Sequence, residues 1–220
     1  TITPAELSDG DYSLTVTATD AAGNISAASD ALSMTVDATA PAQPAITTTT
    51  TLTTDATPTI EGTAEAGSTV TLLSSGVAIG TTTANGDGQF SITTSTLADS
   101  NYVLTVTATD AAGNISDASS ALNLTVDTTA PAKPIITTTT ALTNDSTPAI
   151  EGVAEAGSTV TLFVDGETTG ITTTADGTTG AYTITPAELS DGDYSLTVTA
   201  TDAAGNISAA SDALSMTVDA

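Results

Sequence analysis

The chain has 220 residues, of which 26 are acidic and one, Lys133, is basic, so its formal net charge is −25. This charge excludes nucleic acid and anionic membrane surfaces as partners, because binding to either depends on basic side chains. The chain has no histidine, cysteine or arginine, so the usual general base, thiol nucleophile and oxyanion clamp are missing and we expect no enzyme. No apolar run approaches the roughly 20 residues that a membrane span requires.

A ten-residue sequence, Thr-Ala-Thr-Asp-Ala-Ala-Gly-Asn-Ile-Ser, occurs three times, beginning at Thr17, Thr107 and Thr199. The copies are 90 and 92 residues apart, close to the size of a small β-sandwich domain. We therefore predict an incomplete repeat at residues 1–38 and complete repeats at residues 39–128 and 129–220.

The first repeat is identical in sequence to residues 183–220 and lacks an equivalent of residues 129–182. It contains predicted strands around 12–19 and at 31–36, with a turn at 20–24 between them. Such a remnant would expose half of a core. We expect the missing strands to come from a neighbouring chain or from a preceding segment.

Each complete repeat follows a proline-containing linker, residues 37–41 (Asp-Ala-Thr-Ala-Pro) and 127–131 (Asp-Thr-Thr-Ala-Pro). Proline prevents helix formation and restricts the residue before it to extended conformations, so we predict short and stiff linkers. Alternating patterns and turn residues then predict the strands of each repeat. In the middle repeat these strands lie, in order, at 44–50, 57–64, 69–73, 81–83, near 90, from 102 onward and before 127. In the last repeat they lie at 134–140, 147–154, 159–164, 172–174, 182–184, from 194 onward and before 219.

The sixth strand of the middle repeat shows the pattern most clearly. Leu104, Val106 and Ala108 share one face with Tyr102, while threonines occupy the other face, as expected of a strand with one buried side. Seven short strands with regularly spaced turns predict an all-β chain of tandem immunoglobulin-like sandwiches. The tyrosine that begins this strand is either a tyrosine corner or a core aromatic residue; the sequence leaves both open, and the equivalent tyrosines are Tyr12 and Tyr194.

Three further segments carry a family resemblance: residues 127–131, residues 150–158 (Ile-Glu-Gly-Val-Ala-Glu-Ala-Gly-Ser) and residues 200–206 (Ala-Thr-Asp-Ala-Ala-Gly-Asn). With their counterparts in the middle repeat, they resemble the bacterial Ig-like repeats of large secreted surface adhesins. The resemblance covers essentially the whole chain. It implies an extracellular location on a bacterial surface and tandem modules of a stalk.

Acidic residues that are distant in sequence are predicted to meet at the linkers. Seven strands that run up and down a sandwich place alternate loops at one pole, where the preceding repeat ends. The predicted sets are Asp37, Glu65, Asp110 and Asn114 at the first linker, and Asp127, Glu155, Asp202 and Asn206 at the second.

Carboxylates without nearby cations repel one another unless a metal ion lies between them, and this oxygen-rich set suits Ca²⁺. The absence of histidine and cysteine disfavours zinc and copper. The resemblance also implies calcium at the junctions. The alternative is that Asp-x-x-Gly-Asn only forms a hydrogen-bonded turn.

The predicted function is that of extracellular spacer repeats, made rigid by calcium at their junctions, that hold an adhesive or catalytic head away from a bacterial surface. The predicted partners are neighbouring repeats of the same chain or identical chains. Two alternatives remain open, a subunit of a self-assembling extracellular filament and a module that binds a sugar or a host protein. Exposed aromatic residues would indicate the latter, and the chain has only four tyrosines and two phenylalanines.

Overall fold

The structure is a computed structural model that describes residues 1–220, and it consists of strands and loops. None of its segments forms a helix that could cross a membrane. The strands are β1 (Gly10–Leu14), β2 (Leu32–Val36), β3 (Ala45–Ile46), β4 (Leu52–Thr53), β5 (Thr59–Thr63), β6 (Thr69–Ser74), β7 (Val77–Thr83), β8 (Gln89–Thr93), β9 (Ser100–Thr109), β10 (Leu122–Val126), β11 (Ile135–Ile136), β12 (Leu142–Thr143), β13 (Ile150–Val153), β14 (Thr159–Val164), β15 (Glu167–Thr174), β16 (Ala181–Ile184), β17 (Gly192–Thr201) and β18 (Leu214–Val218).

The chain divides into two compact units. One comprises Thr1–Thr50, Thr57–Thr96 and Tyr102–Leu124, and the other comprises Thr51–Ala56, Leu97–Asn101 and Thr125–Ala220. In the first unit β5 lies between β3 and β8, β6 pairs with β7 and with β9, and β1 and β2 form a separate two-stranded sheet. In the second unit one sheet has the order β12-β18-β17-β14-β15 and the other has the order β11-β13-β16. The predicted all-β, immunoglobulin-like architecture is confirmed.

Of the first predicted strand of each complete repeat, only the residues of β3 or β11 form a strand, and a second short strand, β4 or β12, follows beyond the predicted range. In the last repeat β11 pairs antiparallel with β13, whereas β12 runs parallel to β18 in the other sheet. Between them, the Glu151 N–H donates to Thr138 Oγ1 at 2.7 Å. The Thr138 hydroxyl thus takes the place of a backbone carbonyl as the acceptor for Glu151, and the antiparallel pairing ends there. The threonine-rich chain then continues into the second sheet as β12.

The core of the last repeat lies between its two sheets. The predicted alternation is confirmed, since the threonines between the buried residues of β14 and β17 are not themselves buried, and the buried residues are Val160, Leu162, Leu196, Val198 and Ala200. Burial of such side chains contributes roughly 1.5–3 kcal/mol each. The buried cluster consists of Ile150, Val160, Leu162, Ala175, Tyr182, Ile184, Leu196, Val198 and Met216.

Gly152 allows the only large aromatic ring of this core to approach the backbone. A Cβ atom at this position would lie 2.2 Å from the Ile135 carbonyl oxygen and 2.2 Å from the Tyr182 hydroxyl. The Tyr182 hydroxyl donates to that carbonyl at 3.2 Å, and burial raises the pKa of Tyr182 to about 12. A side chain at residue 152 would therefore displace the ring and break its hydrogen bond.

The structure confirms the predicted hairpin turns and decides between the two interpretations of the tyrosines. The hairpin turns Ser75-Gly76 and Asp165-Gly166 have positive φ angles at both residues, as a type I′ turn requires. The Tyr194 hydroxyl donates to the Ser190 carbonyl oxygen at 2.9 Å, four residues upstream. Tyr12 makes the same contact with Ser8, so the tyrosine-corner interpretation holds at these two positions.

Candidate functional site

The recurrent Asp-Ala-Ala-Gly-Asn segment folds into a turn around its aspartate. Asp110 Oδ1 accepts the N–H groups of Gly113 at 2.7 Å and Asn114 at 2.9 Å, and Oδ2 accepts Asn114 Nδ2 at 2.8 Å. Gly113 supplies the positive φ of 97° that this turn needs. The side-chain hydrogen bond from Asn114 is the main cause of the lowered pKa of Asp110. Asp202 and Asn206 make equivalent contacts in the last repeat.

The asparagine of this turn also contacts the linker that precedes its own repeat. Asn206 Nδ2 donates to the Asp127 carbonyl oxygen at 2.8 Å. At the first linker, Asn114 Nδ2 donates to the Asp37 carbonyl oxygen at 3.0 Å. One amide group therefore joins the aspartate of its turn to the backbone of the linker.

A second aspartate, from the repeat before the linker, binds the same linker. Asp99, just before β9, accepts the Thr128 N–H at 2.9 Å and the Thr128 hydroxyl at 2.7 Å through Oδ1, and the Thr129 hydroxyl through Oδ2. Hydrogen bonds from Thr129 and Thr128 hold the pKa of Asp99 below its ordinary value of 3.8. We call Asp99 and Asn206 the clamp of the second linker, because they bind its backbone from the repeat before it and the repeat after it.

The first linker has the same arrangement with one contact fewer. Asp9 accepts the Ala38 N–H at 2.9 Å and the Thr39 hydroxyl, while alanine at residue 38 offers no hydroxyl. Hydrogen bonds from Thr39 and Ala38 lower the pKa of Asp9. Asp9 and Asn114 thus form the clamp of the first linker.

The predicted metal-ligand residues are brought together only in part. Asp110 lies with Asn114, and Asp202 with Asn206, but what each asparagine reaches at the linker is a carbonyl oxygen, not the carboxylate of Asp37 or Asp127. The carboxylates of Asp37 and Asp127 accept the N–H groups of Thr39 and Thr129 within the linker.

The backbone of each glutamate in the two predicted sets is hydrogen-bonded within its own turn. The carbonyl oxygens of Glu65 and Glu155 accept the hydroxyls of Ser68 and Ser158, each at 2.7 Å. No group of three or more acidic side chains is placed to hold a metal ion. These contacts form hydrogen-bonded turns, and calcium at these residues stays a prediction.

The aspartates before the sixth strand were not among the predicted site residues. Their signal in the sequence is the recurrence of an aspartate two residues before the strand-initial Asn-Tyr or Asp-Tyr pair, together with hydroxyl residues in the linker. Asp99 and Thr128 are 29 residues apart, so neither local turn chemistry nor strand periodicity connects them.

Comparisons with known proteins identify the repeats. The model of the bacterial Ig-like domain family matches residues 1–38, 42–128 and 136–220. Exoglucanase B of Cellulomonas fimi is 36% identical over 242 aligned residues, which cover 94% of this chain and 20% of that protein. Chitinase A1 of Niallia circulans is 38% identical over 125 residues, 54% of this chain and 18% of that protein. The chain thus spans about a fifth of the length of these curated relatives.

A solved structure supports the fold. The fibronectin(III)-like modules of Clostridium thermocellum CbhA superpose with a TM-score of 0.50 at 19% identity, covering 79% of this chain and 93% of theirs. At this identity the similarity concerns the fold alone. The family match, in contrast, extends over nearly the entire sequence, and the chain therefore belongs to the bacterial Ig-like domain family.

Proposed function

We propose that residues 1–220 are spacer repeats of a larger extracellular bacterial protein, and that the linker clamps hold successive repeats in a fixed mutual orientation. The observation that carries this proposal is that each linker is hydrogen-bonded on both sides. Asp99 binds the second linker from the middle repeat, and Asn206 binds it from the last repeat. A linker that only one of the two repeats bound would leave the next repeat free to rotate.

The backbone of the linker adds to this restriction. Pro131 and Pro134 are buried, and the Asp127 N–H donates to the Thr53 carbonyl oxygen at 3.0 Å. Proline also fixes its own φ angle. The two prolines and this hydrogen bond restrict the chain between Asp127 and Pro134, which adds to the effect of the clamp.

The comparisons support a role as part of a larger protein. In the exoglucanase and the chitinase, the matching segment is about a fifth of the length. A segment that an exoglucanase and a chitinase share is better explained by a mechanical role than by a shared substrate. Whether the head is an enzyme, as in those two proteins, or an adhesive domain, as in the surface adhesins, the role of the repeats is the same.

Solution scattering tests the proposal with a matched pair of double variants. Asp99→Ala with Asn206→Ala removes both sides of the clamp on the second linker. Asp191→Ala with Asn24→Ala removes the same residue types from equivalent turns that hold neither linker, since Asp191 bonds to Ala220 and Asn24 bonds only to Asp20. We expect a broader distribution of interatomic distances for the first variant only.

Equal scattering profiles for the two variants, at equal melting temperatures, would contradict a mechanical role of the clamp. A loss of stability without a change in the distance distribution would mean that these residues serve the fold of each repeat only.

A further inference from the structure

Strand β7 of the middle repeat is the last strand of its sheet and pairs with β6 alone. Its other side is an open edge, and such an edge can pair with a strand of another chain. In the last repeat β15 has the same place and pairs with β14 alone. The two edges can be compared position by position, because each follows a two-residue turn, Ser75-Gly76 or Asp165-Gly166.

Charge distinguishes the two edges. Residues 66–86, which include β7, contain no charged side chain, although the chain has 26 acidic residues. Val77, the first residue of β7, is 67% exposed. The equivalent residue of β15 is Glu167, and a charge on an edge strand opposes pairing with another chain. The edge of β7 thus presents an apolar side chain where the edge of β15 presents a carboxylate.

The path of the backbone differs as well. In β15, residues 169–171 lie opposite Leu162 alone, and Gly170 has a φ of 70°. An insertion of this kind bends an edge strand and interrupts its ladder. In β7 the only extra residue is Ile79, and no residue of that strand has a positive φ. The edge of β7 is therefore the less distorted of the two.

A side chain of β15 also occupies the backbone of its distorted segment. Thr169 Oγ1 accepts the Ile171 N–H at 3.1 Å and donates to the Leu162 carbonyl oxygen at 2.8 Å. At the position of Thr169, β7 has Ile79, whose side chain makes no hydrogen bond. Three features that keep an edge strand from pairing are thus present in β15 and absent from β7.

We propose that β7 is a docking edge for β7 of a second copy of this chain, in an antiparallel pair that continues the sheet from one middle repeat into the other. Two copies related by a two-fold axis bring the N–H groups of each edge to the C=O groups of the other, so the edge is its own complement. This side-by-side association goes beyond the role of the repeats as spacers and does not depend on the linker clamps.

The charge of the chain favours this partner. Each copy carries a net charge of −25, so two copies repel least where both surfaces lack carboxylates. Pairing of β7 with β15 of another copy would bring Glu167 to the contact. The open edges of β8 and β16 are also uncharged, but their exposed side chains are polar except for one alanine. A basic partner would be drawn to the acidic loops and not to this neutral edge.

The contact is small. β7 has seven residues, and two such strands fall short of the roughly 1,200 Å² that a stable interface buries. We therefore expect a weak dimer that becomes stronger as salt screens the repulsion between the copies.

Sedimentation equilibrium of the 220-residue chain over a range of protein and salt concentrations tests the proposal. Val77→Glu introduces the residue that β15 has and should weaken the dimer at least about tenfold, because each copy then presents a carboxylate to the other. Val103→Glu is the matched control. It adds the same charge at a valine that is 46% exposed in β9, which lies between β10 and β6 inside the same sheet, and should change the dissociation constant by less than about threefold.

Amide hydrogen exchange locates the contact. Exchange at residues 77–83 should be slower in the concentrated chain than in the dilute chain, whereas exchange at residues 167–174 should not change. The proposal is wrong if the chain is monomeric at every protein and salt concentration, or if the Val77→Glu and Val103→Glu variants associate equally. It is also wrong if a dimer forms without protection of residues 77–83.

Discussion

The short polar side chains at the linkers bind backbone groups: the aspartates accept hydrogen bonds from N–H groups, and the asparagines donate to carbonyl oxygens. Asp99 uses both carboxylate oxygens on the linker, and Asn206 uses one amide nitrogen to reach both Asp202 and Asp127. An asparagine suits this position because a carboxylate there could not donate and would repel Asp202. The donors that the pair uses are backbone N–H groups, threonine hydroxyls and one side-chain amide, which suits a chain with a single lysine.

The ionised form of Asp99 is the one that the linker binds, so the clamp should depend on pH. The folded-state pKa of Asp99 is lowered below 3.8 by Thr129 and Thr128. Its contribution is therefore complete above that ordinary value and is lost as pH falls through the lower folded pKa. In a carboxyl NMR titration we expect Asp99 to titrate below its ordinary value of 3.8.

Replacing both linker hydroxyls, Thr128→Val with Thr129→Val, should move the Asp99 titration back toward its ordinary value. An unchanged midpoint in that variant would show that the linker hydroxyls do not hold this carboxylate. The Asp110 midpoint serves as the internal control, since its pKa is lowered mainly by the hydrogen bond from Asn114, which neither substitution touches.

At the level of strands, the identical sequences of residues 1–38 and 183–220 form strands of different length. β17 runs to Thr201 because β14 supplies hydrogen bonds along its edge, whereas β1 ends at Leu14 for lack of such a partner. The β-branched and alternating residues favour an extended chain in both places. Cross-strand pairing then decides whether the extended chain becomes a strand.

The same comparison gives a stability prediction with a built-in control. Met216→Ala empties a position that is 2% exposed and should lower the free energy of unfolding by about 2–5 kcal/mol. Met34→Ala makes the identical change at a position that is 41% exposed and should cost under about 1 kcal/mol. Chemical denaturation of the two variants measures both values; similar costs would mean that Met34 is covered in solution.

For the whole molecule, the net charge of −25 sets the main electrostatic condition. Charges of one sign repel along the entire chain, and salt screens this repulsion over a Debye length of about 8 Å at physiological ionic strength. The clamps act against this background through short hydrogen bonds that screening hardly affects. Calcium would act by a different route, by neutralising the predicted ligand carboxylates such as Asp110 and Asp202.

Chelation separates the two routes. If calcium binds at Asp110 or Asp202, removing it with a chelator should lower the melting temperature and broaden the distance distribution in scattering, and Asp202→Ala should remove that response at the second linker. If the clamps suffice, chelation should change neither quantity while the Asp99→Ala, Asn206→Ala variant still broadens the distribution. Magnesium at equal ionic strength controls for screening.

The sequence by itself determined the fold class and the repeats. Alternation of Leu104, Val106 and Ala108 with threonine reports which face is buried, and the glycine turns report where strands end, because both depend on neighbours in sequence. Only the tertiary structure decided that Asp99 meets Thr128 and that Asn206 reaches the Asp127 carbonyl across 79 residues. Such contacts join residues that are distant along the chain, and their geometry exists only when separate strands have been packed together.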